Sequence, residues 1–143
     1  MNEVYDVALA IYKEVFDLLG NDKMWVHYDQ TFRAVSSIVA NIAEGEGSRW
    51  GREGYTMTRM INARGSLYET LAWLDIALVE KQAKQEEIEG IKAGLVELDI
   101  ILKEALEEVS DRRDNLAPST ATKRISSYEY WTEKARERKG EQK

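Results

Sequence analysis

The chain has 143 residues, 43% of them apolar and 32% charged, with a formal net charge of −6, one proline and no cysteine. One hydrophobic core is within its reach, and the absence of cysteine excludes a disulfide framework and cysteine-ligated zinc. No apolar run approaches the roughly 18 residues that span a bilayer, and the start Met1-Asn2-Glu3-Val4-Tyr5-Asp6 carries acid where a secretory signal carries base; a cytoplasmic, non-membrane protein is expected. Charge is uneven. Residues 1–111 hold 11 Lys/Arg against 21 Asp/Glu, a net of −10, and residues 112–143 hold 9 against 5, a net of +4. An acidic body disfavours broad nucleic-acid binding, whose affinity comes from basic surface, and leaves the tail as a local exception.

So few breakers in 143 residues favour long helices. Val4, Val7, Ala8, Ile11, Tyr12, Val15, Leu18 and Leu19 recur every three to four residues and stop at Gly20-Asn21-Asp22. A second stripe runs through Tyr28, Phe32, Val35, Ile38, Val39 and Ile42 to the Gly45–Gly51 region. Met57, Ile61, Leu67, Leu71, Leu74, Ala77 and Leu78 mark a third, and Ile88, Ile91, Leu95, Leu98, Leu102, Leu106 and Val109 a fourth. Near-heptad stripes joined by short connections predict an all-α, antiparallel up-and-down four-helix bundle over residues 1–110. Residues 111–143 read as a basic linker and tail. Pro118 cannot continue a helix, and residues 126–138 are expected to form a short helix showing Tyr128, Tyr130 and Trp131.

Helix two carries a polar stripe beside its apolar one: Arg33, Ser37, Ala40 and Glu44. Arg33 and Glu44 are 11 residues apart, about 16 Å along a helix, so each needs a partner elsewhere. A hairpin turning near Arg49 places Arg33 level with Gly65, one turn from Glu69, and Glu44 level with Gly54, close to Arg52. The expectation is an Arg33–Glu69 ion pair within or at the rim of the bundle, with Gly65 and Ser66 permitting close backbone approach and Asn41 completing the polar motif. The bland alternative is that these charges only fix helix register.

At these residues the chain resembles the 23S rRNA intervening-sequence proteins. The likeness is carried by Gln30-x-x-Arg33-Ala34-x-x-Ser37-Ile38-x-x-Asn41-Ile42-Ala43-Glu44-Gly45, and then by Ala63-Arg64-Gly65-Ser66-Leu67-x-Glu69-x-x-x-x-Leu74-x-Ile76-Ala77. It spans roughly residues 4–110 and implies a four-helix bundle assembled into a ring-like homopentamer. The chain is also similar to the accessory protein of diversity-generating retroelements, which implies binding to a reverse transcriptase and its RNA. It departs from the family pattern in lacking a proline after helix one and in the polar opening of helix three, Tyr55-Thr56-Met57-Thr58-Arg59.

Nothing in the residues points to catalysis. The sole histidine, His27, has no nucleophile motif around it, no Glu-x-x-His pair occurs, and the glycines of 45–54 lack the Gly-Lys-Ser/Thr end of a phosphate loop. No enzyme activity, cofactor or metal is expected. Two binding roles remain. In the first, an RNA-linked accessory touches phosphates through Arg49, Arg52, Arg59, Arg64, Arg112, Arg113, Lys123, Arg124, Lys134, Arg136, Arg138 and Lys139, with tail aromatics stacking on bases. In the second, a protein-interaction scaffold without nucleic acid uses Trp25, Trp50, Trp73 and the tail aromatics as anchors.

Overall fold

The computed structural model describes residues 3–48 and 51–116, together with Arg136 and Gly140. Four helices follow one another: α1 (Glu3–Leu19), α2 (Tyr28–Gly47), α3 (Glu53–Val79) and α4 (Gln85–Leu116). Helix α2 packs on α3, α3 on α4, and α1 closes the bundle against α2 and α4. This is the up-and-down four-helix bundle expected from the four apolar stripes.

Each helix buries one stripe, and each starts or stops for a local reason. In α1, Val4, Ala8, Ile11, Val15 and Leu19 are buried. The helix closes at Gly20, whose N–H donates to the Phe16 carbonyl at 2.8 Å; a Cβ there would collide with that same oxygen. Gly51, at φ 95°, takes the left-handed conformation that turns the chain from α2 into α3. In α4, Ile88, Ile91, Leu95, Leu98, Leu102, Ala105 and Val109 are buried. Asp111–Leu116, expected as the start of a linker, instead extend α4.

Helix α3 differs from its sequence reading in the first half. The buried residues are Thr56, Met60, Ala63, Leu67, Thr70, Leu74 and Ala77, alternating steps of four and three. Ile61, expected in the core, is 55% exposed. Two threonines occupy core positions because each hydroxyl is satisfied: Thr56 Oγ1 donates to the Gly45 carbonyl at 3.1 Å and Thr70 Oγ1 to the Ser66 carbonyl at 2.8 Å. With its hydroxyl paired, threonine packs as a small apolar residue, and a purely apolar pattern passes over it.

The α2–α3 register also differs. The turn is centred nearer Gly51 than Arg49, so Ser37 meets Ser66 (Oγ–Oγ 2.8 Å) and Gly45 meets Thr56. The close approach lies at Gly45, where a Cβ would sit 3.4 Å from Arg59 Cβ and 3.5 Å from the Thr56 carbonyl. Gly65, expected to make it, is exposed, and a Cβ there would meet nothing within 4 Å.

Gly65 therefore carries the entropic cost of a glycine inside a helix without a packing return. Gly65→Ala is expected to raise unfolding free energy by about 0.5–1 kcal/mol in denaturant titration. A loss of stability would show that the backbone at Gly65 needs its missing side chain.

Candidate functional site

The buried charge of the bundle is not where the sequence placed it. Arg33 and Glu69 are both exposed; Arg33 makes no ion pair with any described residue, and Glu69 accepts from Trp73 Nε1 at 3.4 Å. The expected Arg33–Glu69 pair is absent because both side chains lie on the outer edge of the α2–α3 seam, where water solvates them. Asn41 is bound as a local polar link, its amide donating to the Ser37 carbonyl at 2.9 Å and to Ser37 Oγ at 3.0 Å. The chain Asn41–Ser37–Ser66 thereby joins α2 to α3.

The charge that is buried belongs to α4. Asp99 is 7% exposed and takes three partners. Arg64 Nε donates to Oδ1 at 2.6 Å, Tyr68 Oη donates to Oδ2 at 2.9 Å, and Lys103 Nζ stands 3.5 Å from Oδ2. Burial pushes the Asp99 carboxyl upward, but the hydrogen bonds from Arg64 and Tyr68, with the charges of Arg64 and Lys103, outweigh it and hold the group below the usual aspartate value. The Asp99 hydrogen bond in turn raises Arg64, against the effect of burial. Arg64, expected to contact phosphate, is committed to this network. Sequence reasoning passed over Asp99, although a carboxylate between Leu98 and Ile100 in the apolar run Leu95-Val96-Glu97-Leu98-Asp99-Ile100-Ile101-Leu102, one turn before Lys103, was a visible signal.

Two further polar knots sit at opposite ends. At the end holding the α1–α2 loop, Trp25 Nε1 donates to Glu80 Oε2 at 2.7 Å, and His27 Nε2 lies 3.3 Å from Oε1. The His27 ring also faces Trp73 at 5.1 Å. The histidine ties the loop to the end of α3, and Glu80 is the partner that the sequence did not reveal. At the α2–α3 turn, Tyr55 lies between two guanidinium groups, Arg52 at 4.6 Å and Arg59 at 5.0 Å from the ring centroid. Glu44 reaches Arg59 at 3.3 Å and accepts from Tyr55 Oη at 3.2 Å; its partner is Arg59, not Arg52.

Helix α4 brings its own cations to this same end. Arg113 Nη1 approaches Met57 Sδ at 3.9 Å, and Arg112 is half-buried beside it. Arg52, Arg59, Arg112 and Arg113 are therefore gathered at one end of the bundle, and Arg64 is not. Arg136 is exposed. Arg49, Lys123, Arg124, Lys134, Arg138 and Lys139 lie outside the described residues. Among the described residues no group of three or more His, Cys, Asp or Glu could hold a metal ion, and no helix is long and apolar enough to cross a membrane.

The Asp99 network has an acid signature. Because folding depresses the aspartate, its contribution is complete above the unfolded value of about 3.9 and is lost as pH falls through the lower folded value. Asp99→Asn is expected to destabilise the protein by about 2–4 kcal/mol near pH 7. Below pH 4 the gap from the unsubstituted chain should narrow, as read from urea midpoints at each pH. A gap independent of pH would show that folding leaves the Asp99 titration unchanged, and a gap that widens toward acid would show that burial outweighs its partners.

With this geometry in hand, comparison with known proteins gives two results. The sequence model of a family described as 23S rRNA-intervening sequence protein matches residues 1–104. A crystal structure from Bacteroides thetaiotaomicron, a protein of unknown function from the S23 ribosomal protein family, superposes with a TM-score of 0.64 at 24% identity. The match covers 72% of this chain and 97% of that one, and shows a shared fold. No curated protein matches the chain.

Proposed function

The chain belongs to the 23S rRNA-intervening sequence protein family, and from that premise we propose that it is a non-catalytic, homo-oligomeric accessory protein of the cytoplasm that binds structured RNA. The observation that carries the reading is the group of arginines at one end of the bundle, set among the carboxylates of Glu44, Glu46, Glu53, Glu108, Asp111 and Asp114. Arg52 and Arg59 bracket Tyr55 there, Arg112 and Arg113 stand at the close of α4, and the chain continues from that point into a segment rich in Lys and Arg. The guanidinium groups provide phosphate contact, and their planes, held over Tyr55, provide a surface for stacking, which suits unpaired or splayed bases. Residues 1–111 carry −10 in all and repel phosphate, so contact would be confined to these arginines and the basic segment that follows.

The resemblance to retroelement accessory proteins extends the proposal to a reverse transcriptase and its RNA as the assembly served. The resemblance to the intervening-sequence family makes a homopentamer the expected oligomer. A face able to support self-association runs along α3 and α4, where Ile61, Tyr68, Val96 and Ile100 are each more than half exposed around the Arg64–Asp99 pair. That same face supports the second reading, a protein-interaction scaffold that binds no nucleic acid.

Titration of a structured RNA hairpin against the full chain at two salt concentrations separates the readings. Binding is expected to weaken steeply with salt, and Arg52→Ser to weaken it at every RNA sequence while lowering the salt slope by about one. Arg52 is exposed and makes no ion pair with a described residue, so the variant is expected to keep its fold. Absence of binding at low salt, with light scattering reporting an intact oligomer, would overturn the RNA reading and leave the scaffold.

A further inference from the structure

The outer face of α1 is apolar and no other helix of the bundle covers it. Leu9 is 44% and Phe16 52% exposed, and with Tyr12, Ala10 and the stem of Lys13 they form a shallow groove of about 500 Å³. Its floor is rigid: the rings of Tyr12 and Phe16 each pack edge-on against Phe32 of α2, centroids 6.3 Å apart. Around it α1 is acidic, with Glu3, Asp6, Glu14 and Asp17 against Lys13 and no basic residue in its last turn. A separate open cleft of about 980 Å³ involves the second half of α1, and its lining carries Glu14, Asp17, Asp22, Glu86 and Glu87 against Lys81 and Lys84.

We propose that the C-terminal segment, residues 123–139, docks along this face of α1 in the same subunit. Three features of the chain select that occupant. The first is pattern: Ile125, Tyr128, Trp131 and Ala135 follow one another at steps of three, three and four, an apolar stripe at helical spacing that matches Leu9, Tyr12 and Phe16 on α1. The second is charge. Lys123, Arg124, Lys134, Arg136, Arg138 and Lys139 outnumber Glu129, Glu133 and Glu137, so a basic segment meets an acidic helix and cleft.

The third is reach. Ile11 of α1 meets α4 at Gly94, where a Cβ would lie 3.6 Å from its side chain. From Gly94 to Leu116, where α4 ends, the helix rises about 33 Å. Residues 117–128 span up to about 40 Å when extended, enough to return Tyr128 to the level of Ile11. Lys134 and the residues after it then arrive near Glu14 and Asp17. The distal charges meet carboxylates while the aromatic stripe covers the groove. Docking would draw the tail's cations onto α1 and leave phosphate contact to the arginines at the end of the bundle.

The chain contains no cysteine, so an introduced pair has one possible disulfide. Leu9→Cys is combined in turn with Ile125→Cys, Tyr128→Cys and Trp131→Cys in the full-length protein and oxidised at micromolar concentration. The expected result is a disulfide within one chain for at least one pair, seen as faster migration on non-reducing gels. The same tail positions paired with Ile100→Cys, on the α3–α4 face, are expected to bond at least tenfold more slowly. Bonds between chains would assign the groove to a neighbouring subunit and overturn docking within one. No bond from Leu9→Cys to any tail position, or equal rates with the Ile100→Cys control, would overturn the docking itself.

Discussion

The carboxylate of Asp99 is the constraint on which the rest of this bundle depends. It is a charge on a helix whose other inward residues are apolar, and removing it from water is unfavourable unless every lone pair finds a donor. Arg64 and Tyr68, one turn apart on α3, supply those donors, and Lys103 adds a third charge from the next turn of α4. A buried ion pair returns little net stability compared with an apolar pair of the same shape. Its effect here is to disfavour alternatives: a slip of α4 against α3 by one turn would take Asp99 away from Arg64 and Tyr68 and leave it only Lys103 of its own helix, whereas leucines slide past one another at small cost. Lys92 and Asp75, 2.5 Å apart further along the same seam, keep that register.

From that fixed seam the outer surfaces follow. With α3 set against α4, the α2–α3 turn and the end of α4 come together and Arg52, Arg59 and Arg113 share one end of the bundle. The same rotation leaves Ile61, Tyr68, Val96 and Ile100 facing outward beside the ion pair, and it places α1 on the opposite side with Leu9 and Phe16 uncovered. At the other end the Glu80 carboxylate holds Trp25 and His27, which ties the longest described connection to the end of α3. Each polar knot thus joins two segments that hydrophobic packing alone would leave free to slide.

The fold was legible because its information is periodic. Stripes such as Val4-Ala8-Ile11-Val15-Leu19 and Ile88-Ile91-Leu95-Leu98-Leu102 state both the helix and its buried face, and glycines mark the turns. Where the periodic rule failed, a hydrogen bond had changed a residue's character: Thr56 and Thr70 sit in the core because carbonyls take their hydroxyl protons. The polar sites were harder to read, since pairing depends on register across helices, and a turn displaced by one or two residues reassigns every partner. That displacement moved Glu44 from Arg52 to Arg59; it brings Arg33 and Glu69 level, but both side chains lie on the exposed edge of the seam and do not pair. The motif that marks the family, Asn41 through Gly45 with Gly65-Ser66-Leu67, is partly explained by the Asn41–Ser37–Ser66 link and by the close packing at Gly45.

A double-mutant cycle on Arg64 and Asp99, using Arg64→Met, Asp99→Leu and the combination, tests the central claim most directly. Urea unfolding of the four proteins yields the coupling energy, which for a desolvated, hydrogen-bonded charge pair is expected to reach about 1.5 kcal/mol or more. The double variant should be more stable than either single one, because it leaves no unpaired charge inside the bundle. Additive losses, with a coupling near zero, would contradict the account and show that α3 and α4 are held in register by apolar packing alone.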